Sequence, residues 1–168
     1  MVFGNPNQVA FIVNRVREWE SNGFINGLFS VYIDGQQYPT ELRTTTLNSD
    51  LPHLLLETSP LSRPENNFEL FLLEASIAFR KLYFMAFPAD ETFENDYRYL
   101  VPAQEILDSG ICIFVIANGQ DVRFLSGEVK GLENEEFINI REAVIEKAKL
   151  LSIVNALRSF YLEHIFNI

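Results

Sequence analysis

The stretch "ICIFVIANGQDVRFLSGEV", residues 111–129, decides how the chain is read. Its two apolar arms flank Asn118-Gly119, a pair that tolerates the left-handed backbone of a type I′ turn, so the stretch predicts an antiparallel hairpin. The first arm, Ile111 to Ala117, is apolar throughout. A strand with one wet face would alternate, so this arm is expected at the centre of the sheet, covered on both faces.

Further along the chain, "FINI" at 137–140 is a candidate strand, and "REAVIEKAKLLSIVNALRSFYLEHIF" predicts a long helix over 141–166. Val144, Ala148, Leu151, Val154, Leu157, Tyr161 and Ile165 would form its apolar stripe. Upstream, "RYLVP" at 98–102 reads as a strand stopped by Pro102. "NFELFLLEASIAFRKLYFM" at 67–85 predicts one helix ended by Pro88, burying Phe68, Leu72, Ala75, Phe79, Leu82 and Tyr83.

Before a proline-rich connector at 59–67, a short helix is expected over 50–57, capped by Asn48 or Ser49, with Asp50 against its N-terminal dipole. "LFSVYIDGQQYPT" at 28–40 predicts a second hairpin turning at Asp34-Gly35, and "QVAFIVNRVREW" at 8–19 a strand. The sum is one α+β domain over residues 1–168. An antiparallel sheet with hairpins packs against two main helices, the second of them the long C-terminal one.

The 168 residues suffice for a sizeable core, and 48% hydrophobic content with 15 Phe places the chain among globular proteins. A net charge of −10 makes nucleic acid and anionic membranes poor partners and a basic protein surface a good one. A single cysteine, Cys112, rules out an internal disulfide. "MVFGNPNQVA" lacks the basic and apolar regions of a signal peptide, and no apolar run is long enough to span a bilayer. The expected compartment is the reducing cytoplasm.

Chemistry is hard to place. His53 and His164 sit in no catalytic signature, and Cys112 lies among apolar neighbours that favour an inert thiol. "FLSGEV" lacks the first glycine of a nucleophile elbow. There is no HxxxH or CxxC pair, and the acids of 90–96 lack the layout of a calcium loop, so no metal or other cofactor is expected. The functional signal is therefore surface. "DETFENDYRY" at 90–99 mixes Asp90, Glu91, Glu94 and Asp96 with Phe93, Tyr97 and Tyr99, and "ENEE" adds Glu133, Glu135 and Glu136. Acids steer a basic partner, and aromatic rings anchor it.

Several segments, in their order, resemble the immunity protein 42 family. They are "VFGNPNQVAFIVNRVREW", "GLFSVYIDGQQYPTELRTTTLNSDLPHL" and "NDYRYLVPAQEILDSGICIFVIANGQDVRFLSGEV", together covering roughly residues 2–130. The resemblance implies a bacterial antidote of polymorphic-toxin and contact-dependent growth inhibition systems. Such a protein has no catalysis of its own and binds the toxic domain of a delivered effector, often a nuclease with a cationic cleft. The helix over 141–166 lies outside the resembling part and is read as a branch-specific addition.

Two other readings stay open. Phe68, Phe71, Phe79, Phe84 and Phe87 could line an aromatic pocket for a small molecule or peptide. A hydrolase pairing Cys112 with His53 or His164 is the third. The exposed side of the last helix, with Phe160 and Phe166, could also pair with a second copy.

Overall fold

The computed structural model describes residues 1–90, 92–131 and 135–166. Its strands divide between two antiparallel sheets. The first holds β1 (Val2–Asn5), β2 (Val9–Arg15), β3 (Asn26–Ile33), β4 (Gln36–Tyr38) and β5 (Thr44–Thr46), with β4 and β5 both paired to β3. The helices α1 (Leu47–Leu54), α2 (Phe68–Leu72), α3 (Ala75–Ala86) and α4 (Gln104–Leu107) precede the second sheet. That sheet runs β6 (Ile111–Asn118), β7 (Asp121–Lys130), β8 (Glu136–Glu146), and α5 (Lys147–Tyr161) follows it.

The fully apolar β6 has a simple cause. Ile111, Ile113, Val115 and Ala117 point into one core, shared with Val9, Phe11 and Val13 of β2 and with Phe29, Val31 and Ile33 of β3. Cys112, Phe114 and Ile116 point the other way, into a second core under α3 with Phe79 and Leu82. The second sheet is thus the middle layer between the first sheet and the α2–α3 pair. In the ladder β7 is central, yet the outer edge of β6 is occupied. Val115 N donates to the Tyr99 carbonyl at 2.8 Å, Val101 N to Ile113 at 2.8 Å, and Ala117 N to Glu65 at 2.8 Å. "RYLVP" therefore lies along β6 by a single bridge, Leu100 to Phe114, and forms no strand of its own.

Both hairpins form, the first at its expected turn residues and the second one residue further on. Asp34 and Gly35 have φ of 50° and 77°, the doubly left-handed pattern of a type I′ turn. At the second hairpin Asn118 pairs with Asp121, so the turn residues are Gly119-Gln120 rather than Asn118-Gly119. Only the first of them has positive φ, 64°, which is the type II′ pattern.

Three helix expectations change. The first helix starts at Leu47, and Asn48 does not cap it. The Asn48 amide accepts from Ile25 N at 3.0 Å and donates to the Gly23 carbonyl at 3.0 Å, clamping the preceding loop. The helix expected over 67–85 breaks at Leu73 and Glu74, leaving Phe68 and Leu72 exposed on the short α2. The break is held by Arg123, 5% exposed, whose Nη1 donates to the carbonyls of Phe71 at 2.8 Å and Leu73 at 2.7 Å. Finally, residues 141–146 extend β8, and Val144 is exposed. Leu150, Ile153, Val154 and Leu157 form the buried stripe of α5.

One glycine is required by packing. Ser126 pairs with Arg141 and Glu128 with Ile138, so Gly127 faces two residues of β8 across a bulge. A Cβ at Gly127 would lie 2.8 Å from the Phe79 ring. Gly127→Ala is expected to lower stability by about 1–3 kcal/mol through overpacking. A urea titration showing no change would mean that α3 shifts outward freely.

Candidate functional site

The loop after α3 is fastened to the helix end. Helix termini leave carbonyls without intrahelical donors. Here Asp96 N donates to the Met85 carbonyl at 2.8 Å and the Asn95 amide to the Ala86 carbonyl at 2.8 Å. Those two bonds hold the acidic segment against α3. Within it, Thr92 donates its backbone N–H and its hydroxyl to Asp90, at 2.9 and 2.7 Å, which holds the Asp90 carboxyl below its ordinary range. Arg98 donates to Asp96 at 2.7 and 2.9 Å, and that hydrogen-bonded pairing lowers the Asp96 pKa.

The predicted surface residues separate. Asp90, Glu94, Phe93 and Tyr97 are exposed, Phe93 by 67% and Tyr97 by 52%. Tyr99 is not on this face: it is 4% exposed, and its hydroxyl accepts from the Asn67 amide at 3.2 Å. Glu91 and Glu133 lie outside the described residues. Glu135 and Glu136 are brought to the same region by the start of β8. They line a groove of about 930 Å³ with Arg80, Lys81, Phe84 and Met85. Phe84 and Met85 also border a smaller groove of about 460 Å³ lined by Asp90, Phe93, Glu94 and Asp96. The two acidic segments, some 40 residues apart in the chain, thus flank one aromatic ridge. The ridge carries a cation too, since Arg80 stacks 5.6 Å from the Phe84 ring centroid and 5.9 Å from that of Phe137.

The other readings find less support in the geometry. Phe79 is buried core, Phe68 is 63% exposed, and Phe84 and Phe87 border different grooves, so the five phenylalanines share no pocket. Burial pushes the Cys112 thiol up to about 12, which keeps it protonated at neutral pH. Phe160 packs on Phe3 with ring centroids 5.6 Å apart, leaving Phe166 as the exposed ring of that helix end. Among the described residues no group of three or more His, Cys, Asp or Glu could hold a metal ion. No helix among them is long and apolar enough to cross a membrane.

A larger groove, of about 1040 Å³, runs behind the acidic loop from Tyr97 and Phe87 to Asp50 and Asp108. The sequence places Asp50 as a helix-dipole group at the start of α1. A sharper signal was present, because Leu47, Asp50, Leu51 and Leu54 follow the i, i+3, i+4, i+7 spacing of one buried helix face.

The sequence profile of the immunity protein 42 family matches residues 1–160. The chain belongs to the immunity protein 42 family. The match runs through α5 as far as Phe160. No curated protein sequence matches the chain significantly. Among solved structures it is similar to CdiI from Burkholderia dolosa AUO158, with a TM-score of 0.78 and 25% sequence identity, over 95% of this chain and 99% of that one. The α+β architecture, long terminal helix included, is therefore shared with a CdiI protein. Membership in the family and likeness to CdiI support a toxin-neutralising immunity function, which is an inhibitor's role and not an enzyme's.

Proposed function

We propose that this immunity protein neutralises its toxin by binding the toxic domain directly in the cytoplasm, through the ridge around Phe84 and Met85. The partner would present a basic surface there, as the phosphate-gripping cleft of a nuclease does. The family match over residues 1–160 carries the antidote reading. The choice of face is supported by exposed Phe93 and Tyr97 beside Asp90 and Glu94. The net charge of −10 steers association with a cationic partner. In one nuclease–inhibitor complex, close charge pairs contribute about 1.5–7 kcal/mol of coupling.

The test is rescue. The toxin domain encoded beside this gene is induced in a bacterial host with and without the protein. Restored growth and co-purification of the pair are expected. Continued killing, with the toxin active and this protein folded, would reject the antidote reading for that pair. A second measurement places the face. Alanine at Asp90, Glu91, Glu94 and Asp96 should slow association about tenfold at low salt and flatten its salt dependence. Growth rescue with unchanged association kinetics would move the contact away from this loop.

A further inference from the structure

Asp50 occupies a position where a leucine would be expected. It lies on the buried face of α1 and is 9% exposed. Among the described residues its carboxylate has no hydrogen-bond or ion-pair partner. The charged groups around it do not compensate. Glu105 and Asp108, on α4 and its C-terminal cap, carry the same sign, and only His53 of α1 opposes them. Gln104 does not help, since its amide donates to Asp108 at 2.6 Å. Arg98, the one cation lining the groove among the described residues, is engaged by Asp96. Burial, with Glu105 next, pushes the Asp50 carboxyl from 3.8 to about 6. At neutral pH this is a charged, mostly buried group without a protein partner among the described residues, the arrangement that proteins keep where a ligand will complete it.

We propose that this groove receives a lysine or arginine side chain of the toxin partner, with Asp50 as its buried carboxylate anchor. The proposal rests on the toxin-binding reading and adds a specific socket to it. Three features fit a long cationic side chain better than a flat contact. The groove is lined by a residue, Asp50, that is itself mostly buried. It is also lined by Phe87 and Tyr97, rings 5.9 Å apart that can cover an alkyl stem or face a guanidinium. Asp96 lines both this groove and the one beside Phe93, so the socket is continuous with the proposed face.

The consequence for the free protein has a definite sign. A carboxyl whose folded pKa is raised stabilises the fold below the unfolded value of 3.8, and that stabilisation is lost as pH rises through about 6. The ionised Asp50 therefore costs stability at pH 7.5. Asp50→Asn removes the charge at constant volume. Its melting temperature should exceed that of the unsubstituted protein by about 4 °C at pH 7.5, with the gap closing at pH 4.

The deciding experiment measures the dissociation constant of the cognate toxin domain for both proteins at pH 7.5, with melting curves of each alone. We expect Asp50→Asn to be the more stable protein and the weaker binder, by at least tenfold. In the unsubstituted complex, the Asp50 carboxyl carbon followed by NMR should titrate below pH 4. A variant that is more stable yet binds as tightly would overturn the socket and leave the antidote reading intact. A variant less stable at pH 7.5 would overturn it as well, because Asp50 would then be a structural group. If the unsubstituted protein itself does not bind, the antidote reading falls and the socket with it.

Discussion

Replacing Arg123 by alanine is expected to destabilise the protein by about 3 kcal/mol. The guanidinium is buried in β7 and binds three acceptors, the carbonyls of Phe71 and Leu73 and the carboxylate of Glu142, the last through Nε at 2.7 Å. Removing it leaves two backbone carbonyls unmatched at the break between α2 and α3. Each such loss costs about 1 kcal/mol or more, and the charge pair adds to it. Glu142 is 48% exposed, so it returns to water at modest cost, which keeps the estimate below that of a fully buried pair. Lysine should recover less than half of the loss, because an ammonium cannot reproduce the planar fork that reaches both helix and strand. Urea unfolding reads this directly. A loss under 1 kcal/mol for Arg123→Ala would show that the helix break forms without its arginine.

The second large effect is expected at Phe79. Its ring is fully buried and meets Phe114 and Phe137 edge to face, with centroids 5.4 and 5.8 Å away. Phe79→Ala should cost about 4 kcal/mol, from lost burial and the cavity left behind. The effect reaches the candidate face, because Phe79 seats α3 on the second sheet and the acidic loop is fastened to the end of α3. A double-substitution cycle gives a stricter check. Gly127→Ala is costly only while the Phe79 ring occupies the space above it. In the Phe79→Ala background the added methyl should cost almost nothing, so the two changes depart from additivity by about 1 kcal/mol or more. Strict additivity would mean that the two positions do not share one packing constraint.

The features legible in the sequence are those set by short-range chemistry. Asp34-Gly35 and the Asn118 to Asp121 turn announce their hairpins through residues that tolerate positive φ. The apolar run of β6 declared that both its faces are covered. Three features escaped because distant residues decide them. The break at Leu73 is held by an arginine 50 positions away. The segment "REAVIE" has good helix formers, yet pairing with β7 makes it strand, the usual outcome when tertiary contacts oppose a weak propensity. At the candidate site, the loop chemistry of Asp90, Phe93, Glu94 and Tyr97 could be read directly. Tyr99 could not, since its burial depends on Asn67 and on the edge of β6. Asp50 was visible in the helical spacing, but a helix-dipole role accounted for it too easily.

The first and last parts of the chain share a core. Phe3 packs on Phe160, Arg15 donates to the His164 carbonyl at 2.5 Å, and Leu150, Ile153, Val154 and Leu157 fill the same interior as β2 and β3. During synthesis the N-terminal hairpins therefore emerge from the ribosome with an oily face that is covered in full only once α5 has been made. Folding must wait for that last helix, as expected where contacts are distant in sequence. A nascent chain interrupted before Lys147 would lack that buried stripe and is expected to leave the shared core open.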